Sequence, residues 1–302
     1  MELFTLSILP SEAGKLIAEL KKYAEGTALE IYSEATSCGS RVNCHVSVAD
    51  DTEPAPDFWF SLASMALSEF MIREKEADWL ERLIRREFDY DSPEDIRTIR
   101  HFCTQVLEDS EANGGREGKW SVRKQKIAEE VHAYLTDNRF MIVDGFVRFR
   151  LQAYMDALRE VVEYAVDEFI LDRQYQEFIA LLKYFVHVQE TKIPLVHLIH
   201  KGNYDFVLLD ERLKPIETRQ MEGFVLEMIE QDLNYEDMII STLITVSPGH
   251  LCIHTPESET QVIKTIAQIF EGRTEICNQC AVCRSMLEAC FPKEPKSNPL
   301  YP

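Results

Sequence analysis

The sequence predicts an α+β fold, in which a helical middle lies between an N-terminal βαββ unit and a C-terminal mixed α/β unit. Strand and helix patterns open the chain, helical periodicity fills its middle, and strands and helices alternate near its end. Hydrophobic residues make up 45% of the chain, with 16 Phe and 11 Tyr, so its acidic residues surround a foldable core. We therefore expect a globular protein.

The N-terminal module is predicted to span residues 1–56. MELFTLSIL is typical of a strand, SEAGKLIAELKKYAEG of a helix, and ALEIYSEA and SRVNCHVSVAD of two further strands. The last of these alternates apolar residues with period two, which indicates one buried face. DDTEPAP then interrupts the pattern and marks a boundary.

A helical domain is predicted for residues 57–190. Its strongest periodic signal begins at Asp144, after which apolar residues recur in steps of four and three, the pattern of one helix face. Asp144 is placed to act as the N-cap. The period resets near Asp172 and Arg173, which predicts two helices in a long helical hairpin.

Residues 191–291 form the predicted C-terminal α/β module, followed by a Pro-rich tail at 292–302. IPLVHLIH and FVLLDERLKPI suggest a hairpin; YEDMIISTLITVS and ESETQVIKTIAQIFEG favour helices, while HLCIHT and RTEIC favour strands. This alternation predicts a partly parallel sheet, which the N-terminal strands could also join.

Charge and cysteine usage restrict the classes of partner and compartment. The formal net charge of −20 disfavours nucleic acid and anionic lipid as partners. No apolar run reaches the roughly 20 residues that span a bilayer, and MELFTLSILPSEAGK lacks a basic region before its apolar residues. Eight Cys in 302 residues, five of them far apart from one another, do not resemble a small secreted disulfide scaffold. We expect a cytoplasmic protein with reduced thiols.

The most specific chemical motif is CNQCAVC, which contains Cys277, Cys280 and Cys283. Three thiols at intervals of three suit zinc or an iron–sulfur cluster. A fourth ligand must come from elsewhere, and Cys252 and His254 are candidates because residues two apart on a strand share a face.

Other interpretations of these residues stay open. Cys290 lies seven residues beyond Cys283, about 10.5 Å along a helix, which is too far for one ion. The thiols could be free at a strand-to-helix corner, or Cys280 and Cys283 could serve in redox chemistry near a helix N-terminus. His197 and His200 are expected to be core or edge histidines of a strand.

Arg148 and Arg150 are a second candidate site. They are predicted to lie in the first two turns of the helix that begins at Asp144, where the helix dipole disfavours cations. An anionic group should therefore lie nearby. It is either a carboxylate of this acidic chain or a phosphate or carboxylate ligand.

Signatures of common enzyme classes are absent from the sequence. It contains no Gly-rich phosphate loop, no Ser nucleophile elbow and no His-Glu-x-x-His motif. This favours a binding protein over an enzyme.

Several strings resemble the YtxC-like sporulation protein family of endospore-forming bacteria. They are DGF and RFR at residues 144–150, AVDEF at 165–169, EFI and LLKYFV at 177–186, Val196-His197, EDMIISTLITVSPGHLCIHT and the closing cysteines. The resemblance covers roughly Asp144 to Cys283, and the first 140 residues carry no such string. It implies a cytoplasmic protein of a sporulating Firmicute with no assigned biochemical activity.

Two hypotheses follow. The first is a non-enzymatic sporulation factor that binds a protein or a small anionic ligand. The alternative is a metal- or iron–sulfur-binding redox protein or sensor centred on the C-terminal cysteines.

Overall fold

The computed structural model describes residues 1–37, 39–48, 56–113, 122–202, 205–216 and 235–277, together with Cys280. The chain divides into two compact units, Met1–Asp172 and Arg173–Pro302, which we call unit 1 and unit 2. The predicted α+β class is confirmed, with helices and two mixed sheets. None of the described helices is long and apolar enough to cross a membrane.

Unit 1 begins with the expected βαββ pattern: β1 (Glu2–Ile8), α1 (Pro10–Ala24), β2 (Leu29–Ala35) and β3 (Val42–Val48). The antiparallel pairs β1–β3 and β2–β3 give a sheet in the order β2-β3-β1-β4. β4 (Phe140–Ile142), which pairs parallel with β1, comes from the far end of the helical region. The first sheet therefore combines segments that are distant in sequence.

The helical region packs on this sheet. It comprises α2 (Pro56–Phe70), a π-helical segment (Met71–Lys75), α3 (Glu76–Glu87), α4 (Pro93–Asn113) and α5 (Val122–Asp137). Their apolar faces and the strands share one core, whose largest fully buried side chains include Phe4, Leu6, Leu16, Leu67, Phe70, Met71, Ile84, Ile99 and Ile127.

The predicted helical hairpin is wrong, because α7 (Gln152–Val188) is a single helix of 37 residues. Its period resets because its buried face changes. Leu158 and Val162 belong to the core of unit 1, whereas Ile179 and Val186 belong to the core of unit 2. One continuous helix that serves two cores produces the same break in periodicity as a turn.

The predicted start of the long helix is also wrong. A separate short helix, α6 (Val143–Arg150), precedes α7, and its N-cap is Ile142. Asp144 lies in the first turn, where its carboxylate accepts hydrogen bonds from Arg41 Nη2 at 2.8 Å and from Lys75 Nζ at 3.1 Å. The ion pairs give this aspartate a tertiary role, because they join it to Arg41, which immediately precedes β3, and to Lys75 of the π-helical segment.

Unit 2 contains a second, separate sheet in the order β6-β5-β7-β8, so the N- and C-terminal strands do not share one sheet. Its strands are β5 (Ile193–His200), β6 (Phe206–Leu209), β7 (Pro248–His254) and β8 (Thr274–Cys277). β5, β7 and β8 are parallel, and β6 is antiparallel to β5. The expected hairpin and the partly parallel sheet are therefore both present.

One face of this sheet packs against helices α8 (Tyr235–Val246) and α9 (Gln261–Ile269). Leu198 of β5 and Ile253 of β7 belong to this core, which they share with Ile263 and Ile266 of α9. Because successive strand residues alternate between faces, the neighbours of Leu198 and Ile253 lie on the opposite face of the sheet.

Candidate metal centre

The second face of the unit 2 sheet carries a cluster of histidine and cysteine side chains. His197 of β5 pairs with Cys252 of β7, and His254 of β7 pairs with Cys277 of β8. Residues paired across neighbouring strands point to the same face, and so do residues two apart on one strand. Strand register alone therefore places these four side chains side by side.

The cluster lies at the carboxyl ends of two parallel strands. His254 is the last residue of β7 and Cys277 is the last residue of β8. Cys280 follows three residues later and packs beside Cys277 against a small apolar group that includes Ile199 and Leu209. The carboxyl edge of parallel strands is where α/β proteins commonly place ligand sites.

The side chains approach closely enough to share a metal ion. Two groups of three ligands form, His197–Cys252–His254 and His254–Cys277–Cys280, and within each group the ligand atoms lie within 4.8 Å of one another. His254 belongs to both. Its Nδ1 lies 3.5 Å from Cys280 Sγ and its Nε2 lies 3.0 Å from His197 Nδ1. The two ring nitrogens therefore face different neighbours.

The surroundings favour the neutral forms of these groups. Burial lowers the pKa of His197, and burial followed by the nearby His197 lowers the pKa of His254, whose residue is only 1% exposed. Burial, with contributions from Cys277, Glu275 and Cys280, raises the pKa of the Cys252 thiol to about 11. Neutral imidazole is the form that binds metals, and a bound cation would itself promote loss of the thiol protons.

The structure brings together four of the five metal ligands considered from the sequence: Cys252, His254, Cys277 and Cys280. The fifth, Cys283, lies outside the described residues, as does Cys290. Sequence reasoning missed His197 as a member of the cluster, because it treated both His197 and His200 as core or edge histidines of a strand. The latter is buried, where its Nδ1 lies 2.8 Å from Thr255 Oγ1.

Arg148 and Arg150 occupy the last turn of α6, not the first turns of a long helix. Cations are favourable at a helix C-terminus, so the expectation of an anion from the helix dipole loses its basis. Both arginines are exposed. Arg150 lies 5.8 Å from the ring centre of Tyr134 and borders a cavity of about 630 Å³, which is also lined by Ile127 and Leu158.

Comparison with known proteins identifies relatives. The model of the YtxC-like family matches residues 61–275, well over half of the chain. The match begins before the strings that carry the resemblance, and it includes His197, Cys252 and His254 but ends before Cys277. The chain is also 26% identical over 211 residues to the "Uncharacterized protein YtxC" of Bacillus subtilis (strain 168), covering 70% of this chain and 74% of that protein. No solved structure shows a significant match.

Proposed function

Because the chain belongs to the YtxC-like family, we propose that it is a cytoplasmic, sporulation-associated protein that acts by binding a protein or a small anionic ligand. We also propose that it holds a zinc ion at its cysteine and histidine cluster. The observation that carries the metal proposal is the convergence of His254, Cys277 and Cys280 within 4.8 Å. The family resemblance supports the link to sporulation.

Zinc suits this set of donors better than an iron–sulfur cluster does. It accepts thiolate and imidazole in one tetrahedral site, whereas iron–sulfur clusters are typically held by four thiolates. His254, Cys277 and Cys280 supply three ligands. Cys252, which hydrogen-bonds to Cys277, and Cys283, which lies outside the described residues, are the candidates for the fourth.

Metal analysis of protein purified without oxygen tests the proposal. We expect about one zinc per chain, and its loss in Cys277→Ser, Cys280→Ser and His254→Ala variants. Cys44→Ala is the matched control, because this cysteine is buried in the core of unit 1, whereas the cluster belongs to unit 2. Less than one metal ion per several chains would contradict the proposed metal centre. Retention of zinc by the Cys280→Ser variant would contradict it as well.

The same experiment separates the zinc protein from an iron–sulfur redox protein or sensor. Iron with visible absorption would favour the redox protein, whereas zinc gives no colour. Cys252→Ser and Cys283→Ser identify the fourth ligand, since only the variant that removes a ligand should weaken zinc binding. If neither does, the fourth position is open to solvent or to a partner.

A small anion or an acidic protein segment at Arg148 and Arg150 is the second candidate. It is supported by the exposure of both guanidinium groups and by the cavity that Arg150 borders. We expect the Arg148→Gln/Arg150→Gln double variant to reduce spore yield and leave vegetative growth unchanged. Arg82→Gln/Arg97→Gln is the control, since these arginines are also exposed on helices. Normal sporulation by a stably folded Arg148→Gln/Arg150→Gln variant would show that the arginines have no required role in sporulation.

A further inference from the structure

We infer that His197 is a positioning residue of this metal centre: it accepts a hydrogen bond from Nε2 of His254 and thereby directs Nδ1 of His254 at the metal. The inference rests on the proposed zinc site. It assigns different roles to the two histidines, although both lie in the cluster.

The two distances around the His254 ring carry the argument. Nδ1 faces Cys280 Sγ at 3.5 Å, and Cys277 completes a group of three ligands with these two residues. Nε2 faces His197 Nδ1 at 3.0 Å, which is the length of a hydrogen bond. The metal side and the hydrogen-bond side of the ring are therefore distinct.

Proton placement follows from this arrangement. A nitrogen that binds a metal carries no proton, so a neutral His254 that binds through Nδ1 carries its proton on Nε2. That N–H then donates to His197 Nδ1, which must be an acceptor, and the proton of His197 resides on its own Nε2. Metal-bound histidines commonly donate their second N–H to such a neighbour, which fixes the tautomer and the ring orientation.

The same geometry argues against His197 as a ligand of the same ion. His197 faces Nε2 of His254, whereas an ion shared with Cys280 lies on the Nδ1 side. The group of His197, Cys252 and His254 could bind a second ion only if His254 lost both ring protons and bridged the two metals. That arrangement predicts two metals per chain, and the stoichiometry therefore distinguishes it.

Two substitutions of His197 separate positioning from ligation. His197→Ala removes the acceptor, whereas the side-chain oxygen of His197→Asn stands near the place of Nδ1 and can accept the same bond. Zinc affinity is measured on the full chain by competition with a chromogenic chelator, and Co²⁺ substitution reports the ligands. We expect His197→Ala to bind zinc about 10- to 100-fold more weakly with unchanged stoichiometry and Co²⁺ spectrum, and His197→Asn to restore most of the affinity.

The control variant is His250→Ala, which removes an exposed histidine from the same strand as His254 and should leave affinity unchanged. If His197→Ala and His197→Asn lose zinc affinity equally and alter the Co²⁺ spectrum, His197 is a ligand and the inference is overturned. Two metals per chain in the wild type would overturn it in the same way. Wild-type affinity in both variants would also overturn it. If Cys277→Ser and Cys280→Ser retain zinc, the proposed metal centre itself fails.

Discussion

Replacing Arg123 with methionine should destabilise unit 1 more than replacing Tyr154 with phenylalanine, although both side chains bind the same carboxylate. Glu76 is only 8% exposed, and Arg123 Nη1 donates to both of its oxygens at 2.8 and 2.9 Å. The hydroxyl of Tyr154 donates to Oε2 of Glu76. Of these two side chains, only the arginine also neutralises the negative charge of Glu76.

The expected magnitudes follow from burial. Removal of one partner of a buried ion pair costs about 3 to 5 kcal/mol, and the side chain of Arg123 is 21% exposed, so we expect a loss of about 3 kcal/mol. Tyr154→Phe removes one hydrogen bond to a charged group, worth about 1.5 to 3 kcal/mol. Its ring can stay packed at 6.4 Å from the ring of Trp79, so no cavity forms.

Urea unfolding followed by tryptophan fluorescence measures both variants, because all three tryptophans precede residue 173 and report on unit 1. Double replacement of Glu76 and Arg123 by leucine and methionine should recover part of the loss, since no unpaired buried charge remains. A cost below about 1 kcal/mol for Arg123→Met, or a larger cost for Tyr154→Phe, would contradict the account of Glu76 as a buried, neutralised charge.

Three further predictions concern single residues. Burial, and then Glu76, raises the pKa of Tyr154, so the stability that this side chain contributes should be present below pH 10 and decline above it. In urea unfolding at pH 9 to 11, the free energy of unfolding should therefore fall less steeply with pH in Tyr154→Phe than in the wild type. Asp144→Ser removes the ion pairs with Lys75 and Arg41. Because the side chain of Asp144 is 40% exposed, we expect a cost of about 1 to 2 kcal/mol. Burial opposes ionisation of Asp144, but Lys75 and Arg41 outweigh it and lower the pKa of this carboxyl. The cost should therefore be present above about pH 4 and decrease as pH falls further, and a cost at pH 3 as large as that at pH 6 would contradict it. Gly249→Ala should cost about 1 to 3 kcal/mol in thermal unfolding, because an added Cβ would lie 3.0 Å from the backbone oxygen of Pro194. An unchanged melting temperature would show that the backbone of β5 can shift to accommodate the methyl group.

Local patterns were sufficient to predict the α+β class and most of the elements. The alternation in β3 and the four-three spacing in α7 arise from neighbours within one element, so the sequence displays them directly. The hairpin was not predictable in this way. The break near Asp172 reflects a change of core along one helix, and periodicity records which face is buried without recording what buries it.

The roles of charged residues were less predictable than the elements. Asp144 has the identity and position of an N-cap, but its carboxylate bonds to Arg41 and Lys75, which are distant in sequence. Arg148 and Arg150 were assigned to a helix start because the end of α6 at Arg150 is not visible as a break in the apolar spacing. Both errors come from contacts and boundaries that tertiary structure decides.

The cluster was predicted in part because its two halves have different sequence signals. Cys277 and Cys280 form a local motif, and Cys252 and His254 share a face on any strand. His197 joins them only through the parallel register of β5 with β7, which sets His197 opposite Cys252. A shift of one residue would turn His197 to the apolar core.

The two candidate sites differ in how firmly the fold positions their functional groups. The backbone ladders of β5, β7 and β8 hold His197, Cys252, His254 and Cys277, so a metal would find these donors already close together. The exposed arginines at the end of α6 have ring contacts near 5.7 Å that leave most of their side-chain freedom intact. A ligand there must offset the entropy of ordering both side chains, about 2 kcal/mol each at most. The pre-positioned cluster therefore supports a more specific functional proposal than the arginines do.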